Sequence, residues 1–126
     1  MSLILCLLLA LGDPASDDTP TYLYKILTSA SWEAGRESDR LALGPDDEAF
    51  IHLAEAHQVE RIANKFFSEH TEVVVVQLRT DQLVGRLVKE SNPGGTVKYY
   101  HLYDGFLPMK AVESHRLLPI AHSRSE

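Results

Sequence analysis

Val59, Ile62, Ala63, Phe66 and Phe67 recur at i, i+3, i+4, i+7 and i+8, and Glu60, Arg61, Asn64 and Lys65 fall between them. That spacing lays the apolar set along one stripe of a 3.6-residue helix and turns the polar set outward. The rest of the chain patterns differently. Val73-Val74-Val75-Val76-Gln77-Leu78 is β-branched and apolar on both faces at its start, which predicts a central strand. Tyr22-Leu23-Tyr24-Lys25-Ile26-Leu27 predicts a first strand whose single charge is Lys25. Ser29 is the candidate N-cap of a short helix over residues 30–38, with Trp32 as its anchor in the core. Phe50-Ile51-His52-Leu53 predicts a short strand after a loop containing Gly44-Pro45-Asp46-Asp47. Thr80-Asp81-Gln82-Leu83 reads as a turn or 3₁₀ element. Leu87-Val88-Lys89-Glu90 and residues 98–103 predict strands on either side of the turn-forming Asn92-Pro93-Gly94-Gly95, and residues 109–118 hold one more.

Strand, helix, strand, helix and then several strands joined by short turns is the order of an α+β fold, with mostly antiparallel pairing. Two helices cover only part of such a sheet. A small split sheet, or one open face, then leaves a cleft. The chain's 126 residues suit one domain with one core. Asp13-Pro14-Ala15-Ser16-Asp17-Asp18-Thr19-Pro20 is acidic and holds two prolines, so it reads as a linker. The expected organisation is an apolar segment and linker over 1–20, one α+β domain over 21–119, and a polar tail over 120–126. Ser2-Leu3-Ile4-Leu5-Cys6-Leu7-Leu8-Leu9-Ala10-Leu11-Gly12 is too short for a membrane-spanning helix, which takes ~20 residues. It suits the core of a signal peptide, a buried N-terminal segment, or an extension from a misassigned start. The chain is expected in the cytoplasm, or exported if residues 1–12 are a signal peptide.

Composition narrows the function classes. Twelve Lys and Arg against 18 Asp and Glu give a net charge of −6, so no general attraction draws the chain to a long nucleic acid. With Cys6 alone, neither an internal disulfide nor a cysteine-based zinc site is possible. No metal site is expected, because His52 and His57 lack ligand spacing and no acidic cluster supplies it. No serine sits in a nucleophile-elbow pattern.

Four places carry candidate chemistry. Alternation puts Phe50 and His52 on one face of their strand and Ile51 and Leu53 on the other, so His52 points away from the core face. Tyr99, His101 and Tyr103 share a face of a later strand; such a stripe can stack a flat ring while the imidazole bonds its edge or a ribose hydroxyl. It is also ordinary half-buried sheet surface. Glu90 ends its strand, where an acid beside a cleft can hold a sugar hydroxyl or stabilise a developing cation. Lys25 either snorkels to the surface or reaches a phosphate. Asn92-Pro93-Gly94-Gly95 is a weak phosphate signal, since no helix follows it.

Tyr24-Lys25-Ile26 followed by Trp32-Glu33, Phe50-Ile51-His52-Leu53, the helix with Val59, Ala63, Asn64 and Phe66-Phe67, and Tyr100-His101-Leu102-Tyr103 with Gly105-Phe106-Leu107-Pro108 together resemble the bacterial family known as domain of unknown function 952. The likeness runs over residues 22–118. It implies a small stand-alone protein of no established activity, with a fold similar to ADP-ribosyltransferases and RNA 2′-phosphotransferases. In those a split sheet holds NAD or an ADP-ribose-like group. By position, Lys25 stands where many members of that wider group carry the ribose-holding His, His52 matches the second polar position, and Glu90 and His101 are candidates for the late one. Lysine cannot serve a ribose as a neutral donor–acceptor, but it can hold a phosphate as a point charge.

Three functions follow from the residues and the resemblance. The first is a transferase acting on NAD or an ADP-ribose-like or phosphorylated nucleotide, with Glu90 stabilising charge on the ribose and His52 and His101 positioning the substrate. Lys25, Tyr99 and Tyr103 would bind the nucleotide, and NAD would be substrate rather than cofactor. The second is a non-catalytic module for a nucleotide or another small ligand. The third is a protein-interaction domain with structural histidines.

Overall fold

The computed structural model describes residues 18–121, and the apolar segment over 1–12 lies outside them. Six strands and two helices follow one another as β1 (Tyr22–Leu27), α1 (Ser29–Arg36), β2 (Ile51–Leu53), α2 (Val59–Phe66), β3 (Glu72–Arg79), β4 (Val84–Ser91), β5 (Lys98–Phe106) and β6 (Val112–Pro119). The class is α+β, as the order of patterns predicts. The strands form two three-stranded sheets, β1-β3-β6 and β2-β5-β4, and every pair is antiparallel.

β3 is the central strand of the first sheet because its valines serve two cores. Val74, Val76 and Leu78 face a cluster with Leu23, Leu27, Trp32 of α1 and Leu53, Tyr100 and Leu102 of the second sheet. Val73 and Val75 face the opposite way, against Ile26, Val59 and Ala63 under α2. Each such buried aliphatic side chain contributes roughly 1.5–3 kcal/mol of transfer free energy. Ile120, placed by its polar neighbours in the tail, joins this second cluster, and its N–H donates to the Thr71 carbonyl at 2.9 Å.

Several boundaries differ from the sequence reading: α1 ends at Arg36, Phe50 precedes β2, and β4 and β5 run longer than their apolar patterns. The N-cap of α1 is Thr28, not Ser29: its backbone is extended and its hydroxyl accepts from Ser31 N–H. The apolar stripe of α2 is interrupted at Phe66, which is 59% exposed at the helix's last turn. A 3₁₀ turn, Ala56–Gln58, leads into α2 and carries a capping box between Glu55 and Gln58.

One antiparallel bridge joins the backbones of the two sheets. Tyr24 and Ala54 exchange backbone hydrogen bonds, each 2.8 Å. Beyond that bridge β1 and β2 separate, and α2 stands over the gap. Among the described residues no helix is long and apolar enough to cross a membrane.

Candidate functional site

Lys25 points into the gap from a strand position whose neighbours on the same face, Leu23 and Leu27, are core. Only 5% of the residue is exposed, so it does not snorkel to the surface. Its ammonium donates to Asp47 Oδ1 at 2.9 Å, to Oδ2 at 3.0 Å and to the His52 carbonyl at 3.0 Å. An ammonium has three N–H groups, and all three are taken. Asp47 ends a 3₁₀ turn, Pro45–Asp47, that brings the loop back over the gap. The same carboxylate accepts from His52 N–H at 3.0 Å and lies 3.1 Å from His52 Nδ1.

Burial pushes the Lys25 ammonium down from its ordinary range, and the Asp47 and Asp46 carboxylates oppose that. Burial alone would raise the Asp47 carboxyl. The hydrogen bonds from His52 and the Lys25 charge outweigh it and hold the group at about 2, against the ordinary 3.8. The folded chain therefore binds this proton less readily than the unfolded chain does. The stabilisation is complete above the unfolded value and is lost as pH falls through the folded one. Between pH ~4 and ~2, urea midpoints should fall by the equivalent of about 2 kcal/mol from this carboxyl. In Asp47→Asn that part of the acid limb should be missing. An unchanged acid limb in the variant would remove Asp47 from this account.

With Asp47 accepting from Nδ1–H, a neutral His52 ring carries its one acceptor lone pair on Nε2. The side chain is 40% exposed, and it lines a cleft of about 640 Å³. Ile62, Phe66 and Phe67 form the apolar wall contributed by α2 and its C-cap. A carboxylate that fixes an imidazole tautomer and leaves Nε2 open is the arrangement of a hydrogen-bond acceptor or a general base.

The second cluster lies across the β2–β5 pair, where His52 faces His101. The His101 ring is fully buried. Its Nδ1–H donates to Glu90 Oε2 at 2.8 Å, and its Nε2 lies 3.0 Å from Asn92 Oδ1. With Oδ1 facing it, Nε2 donates and the ring is a cation; with the amide turned, Nε2 accepts and the ring is neutral. Phe50 stacks on the ring with centroids 4.0 Å apart and lies 4.9 Å from the His52 ring. Tyr103 O–H donates to the same Glu90 oxygen. That bond, then the one from His101, holds the Glu90 carboxyl below its usual range, and Tyr103 is raised in return. Phe50, Glu90, Asn92, His101 and Tyr103 border a smaller cavity of about 300 Å³. Asn92 borders both cavities.

The sequence-chosen residues thus fall into two adjoining groups. Lys25 and His52 meet through Asp47, and Glu90, His101 and Tyr103 form one hydrogen-bonded set. Tyr99 borders the larger cleft, where its hydroxyl accepts from Arg61 at 3.2 Å. Sequence reasoning missed Asp47, Asn92 and Phe50 as members. A lone lysine in an apolar strand implies a carboxylate partner, and Asp46-Asp47 just before β2 was the available signal.

Known proteins add the following. The family model described as "Protein of unknown function (DUF952)" matches residues 26–115. The crystal structure of protein CC0527 from Caulobacter crescentus superposes with a TM-score of 0.67 at 29% identity, covering 80% of this chain and 89% of that one. The solution NMR structure of CC0527 gives a TM-score of 0.66 at 30% identity, covering 81% and 88%. No curated protein matches.

Proposed function

Since the chain belongs to the DUF952 family of proteins of unknown function, we propose from its cleft that it is a small-ligand-binding domain in which His52 is the polar anchor. The observation that carries this is the Lys25–Asp47–His52 chain of hydrogen bonds. It holds one imidazole in a single tautomer in a cleft with an apolar wall of Ile62, Phe66 and Phe67. A buried charge pair behind a half-exposed histidine is a costly way to stabilise a fold, because desolvation offsets much of the attraction. It is an effective way to preorganise a contact.

The test is amide NMR on the full chain against a library of small aromatic and heterocyclic compounds. Saturable shifts at Lys25, Asp47, His52 and Phe67 are expected, and His52→Ala should weaken the best binder ~10-fold or more while the variant stays folded. If no compound moves those amides at millimolar concentration, the reading fails.

The second reading is a transferase acting on NAD or an ADP-ribose-like nucleotide. Glu90 favours it, because a carboxylate kept ionised by Tyr103 and His101 is suited to stabilise a ribosyl cation as the glycosidic bond breaks. Turnover of NAD that is lost in Glu90→Gln would support this reading over simple binding.

A further inference from the structure

We infer that the cleft beside His52 takes a ligand with an apolar body and a positively charged, N–H-donating head, and that it rejects phosphorylated ligands; this rests on the reading of the cleft as a ligand site. Along the Lys25–Asp47–His52 chain and the adjoining Asp46 the hydrogen-bonding groups left over are acceptors, while Ser31, His70, Asn92 and Tyr99 line other parts of the same cleft. Lys25 is fully engaged by Asp47 and the His52 carbonyl, and the His52 N–H and Nδ1 are engaged by Asp47. What remains is His52 Nε2, an acceptor in the neutral ring, and the carboxylate of Asp46, an exposed residue on the same cleft.

Charge points the same way. Lys25 stands against Asp46 and Asp47, so the polar end carries one net negative charge. A phosphate brings only acceptors and more negative charge. It would meet no free donor from the lysine that the strand position had suggested for it. An ammonium or amidinium head brings donors to both open acceptors. Its apolar body then lies along Ile62, Phe66 and Phe67, where the Phe66 ring is otherwise left 59% exposed. The basic side chains near the cleft belong to the exposed side of α2 and have aromatic partners: Arg61 donates to the Tyr99 hydroxyl, and the Lys65 ammonium sits 5.3 Å from the Phe66 ring centroid.

A charge series on one apolar body tests this. The full chain is titrated at pH 7 with 2-phenylethylamine, 2-phenylethanol and phenylacetate, and separately with ADP-ribose, and the amides of Asp46, His52 and Phe67 are followed. The amine should bind at least ~10-fold more tightly than phenylacetate, with the alcohol between them and ADP-ribose weakest. Asp46→Asn should reduce the amine-to-carboxylate ratio to ~3-fold or less. If the amine does not bind tightest of the four, the inference is overturned and the cleft remains a ligand site. If no probe shifts those amides, the site itself falls, and the inference with it.

Discussion

Asp47→Ala is expected to lower the unfolding free energy by about 3–5 kcal/mol in urea titration, enough to leave much of the chain unfolded without a stabiliser. The substitution removes four hydrogen bonds to one carboxylate and leaves a buried ammonium without a hydrogen-bonded counter-charge. The effect should be strongly asymmetric across the pair. In Lys25→Met the carboxylate keeps both His52 donors, and an unbranched apolar side chain fits the core face between Leu23 and Leu27. That variant should change stability by no more than about 1 kcal/mol. Adding Lys25→Met to Asp47→Ala should then recover most of the loss. An Asp47→Ala protein within about 1 kcal/mol of the parent would mean that the lysine escapes to water or sheds its proton.

The two central histidines should separate just as clearly. His101→Ala is expected to cost about 3 kcal/mol, because it opens a cavity under Phe50 and strips partners from Glu90 and Asn92. His52→Ala should cost under about 1 kcal/mol, since that side chain is 40% exposed and Asp47 keeps Lys25. Thermal melts of the two variants side by side give the comparison. Equal losses would contradict the division between a structural His101 and an accessible His52.

That division shows what the sequence could and could not disclose. Strand alternation correctly set His52 with Phe50, and His101 with Tyr99 and Tyr103, because side-chain direction along a strand is local. Burial is not local. His101 is sealed because β2 pairs with β5 in a register that brings Phe50 over its ring, and nothing within β5 encodes that partner. Lys25 was visible as an anomaly, while its carboxylate lies 22 residues away on a loop whose path depends on the whole fold. Phe66 failed for a related reason. Periodicity gives a helix a face but not how evenly a neighbour covers it: Ala63 and Phe67 pack on the second cluster, while Phe66 between them is left exposed. The α1 cap falls on Thr28, one hydroxyl before the expected Ser29, because the backbone is extended there and its side chain accepts from Ser31 N–H. The class, the central strand and the antiparallel pairing were legible because each rests on patterns many residues long.

Trp32 is the chain's one tryptophan, and it sits in the core with its ring 4.5 Å from that of His115 on β6, on the far side of β1 from the wall built by α2. Intrinsic fluorescence excited at the indole band is therefore a spectroscopic channel for folding. Its emission should shift to the red when the core opens, so a single sample can report whether a variant has lost its shape.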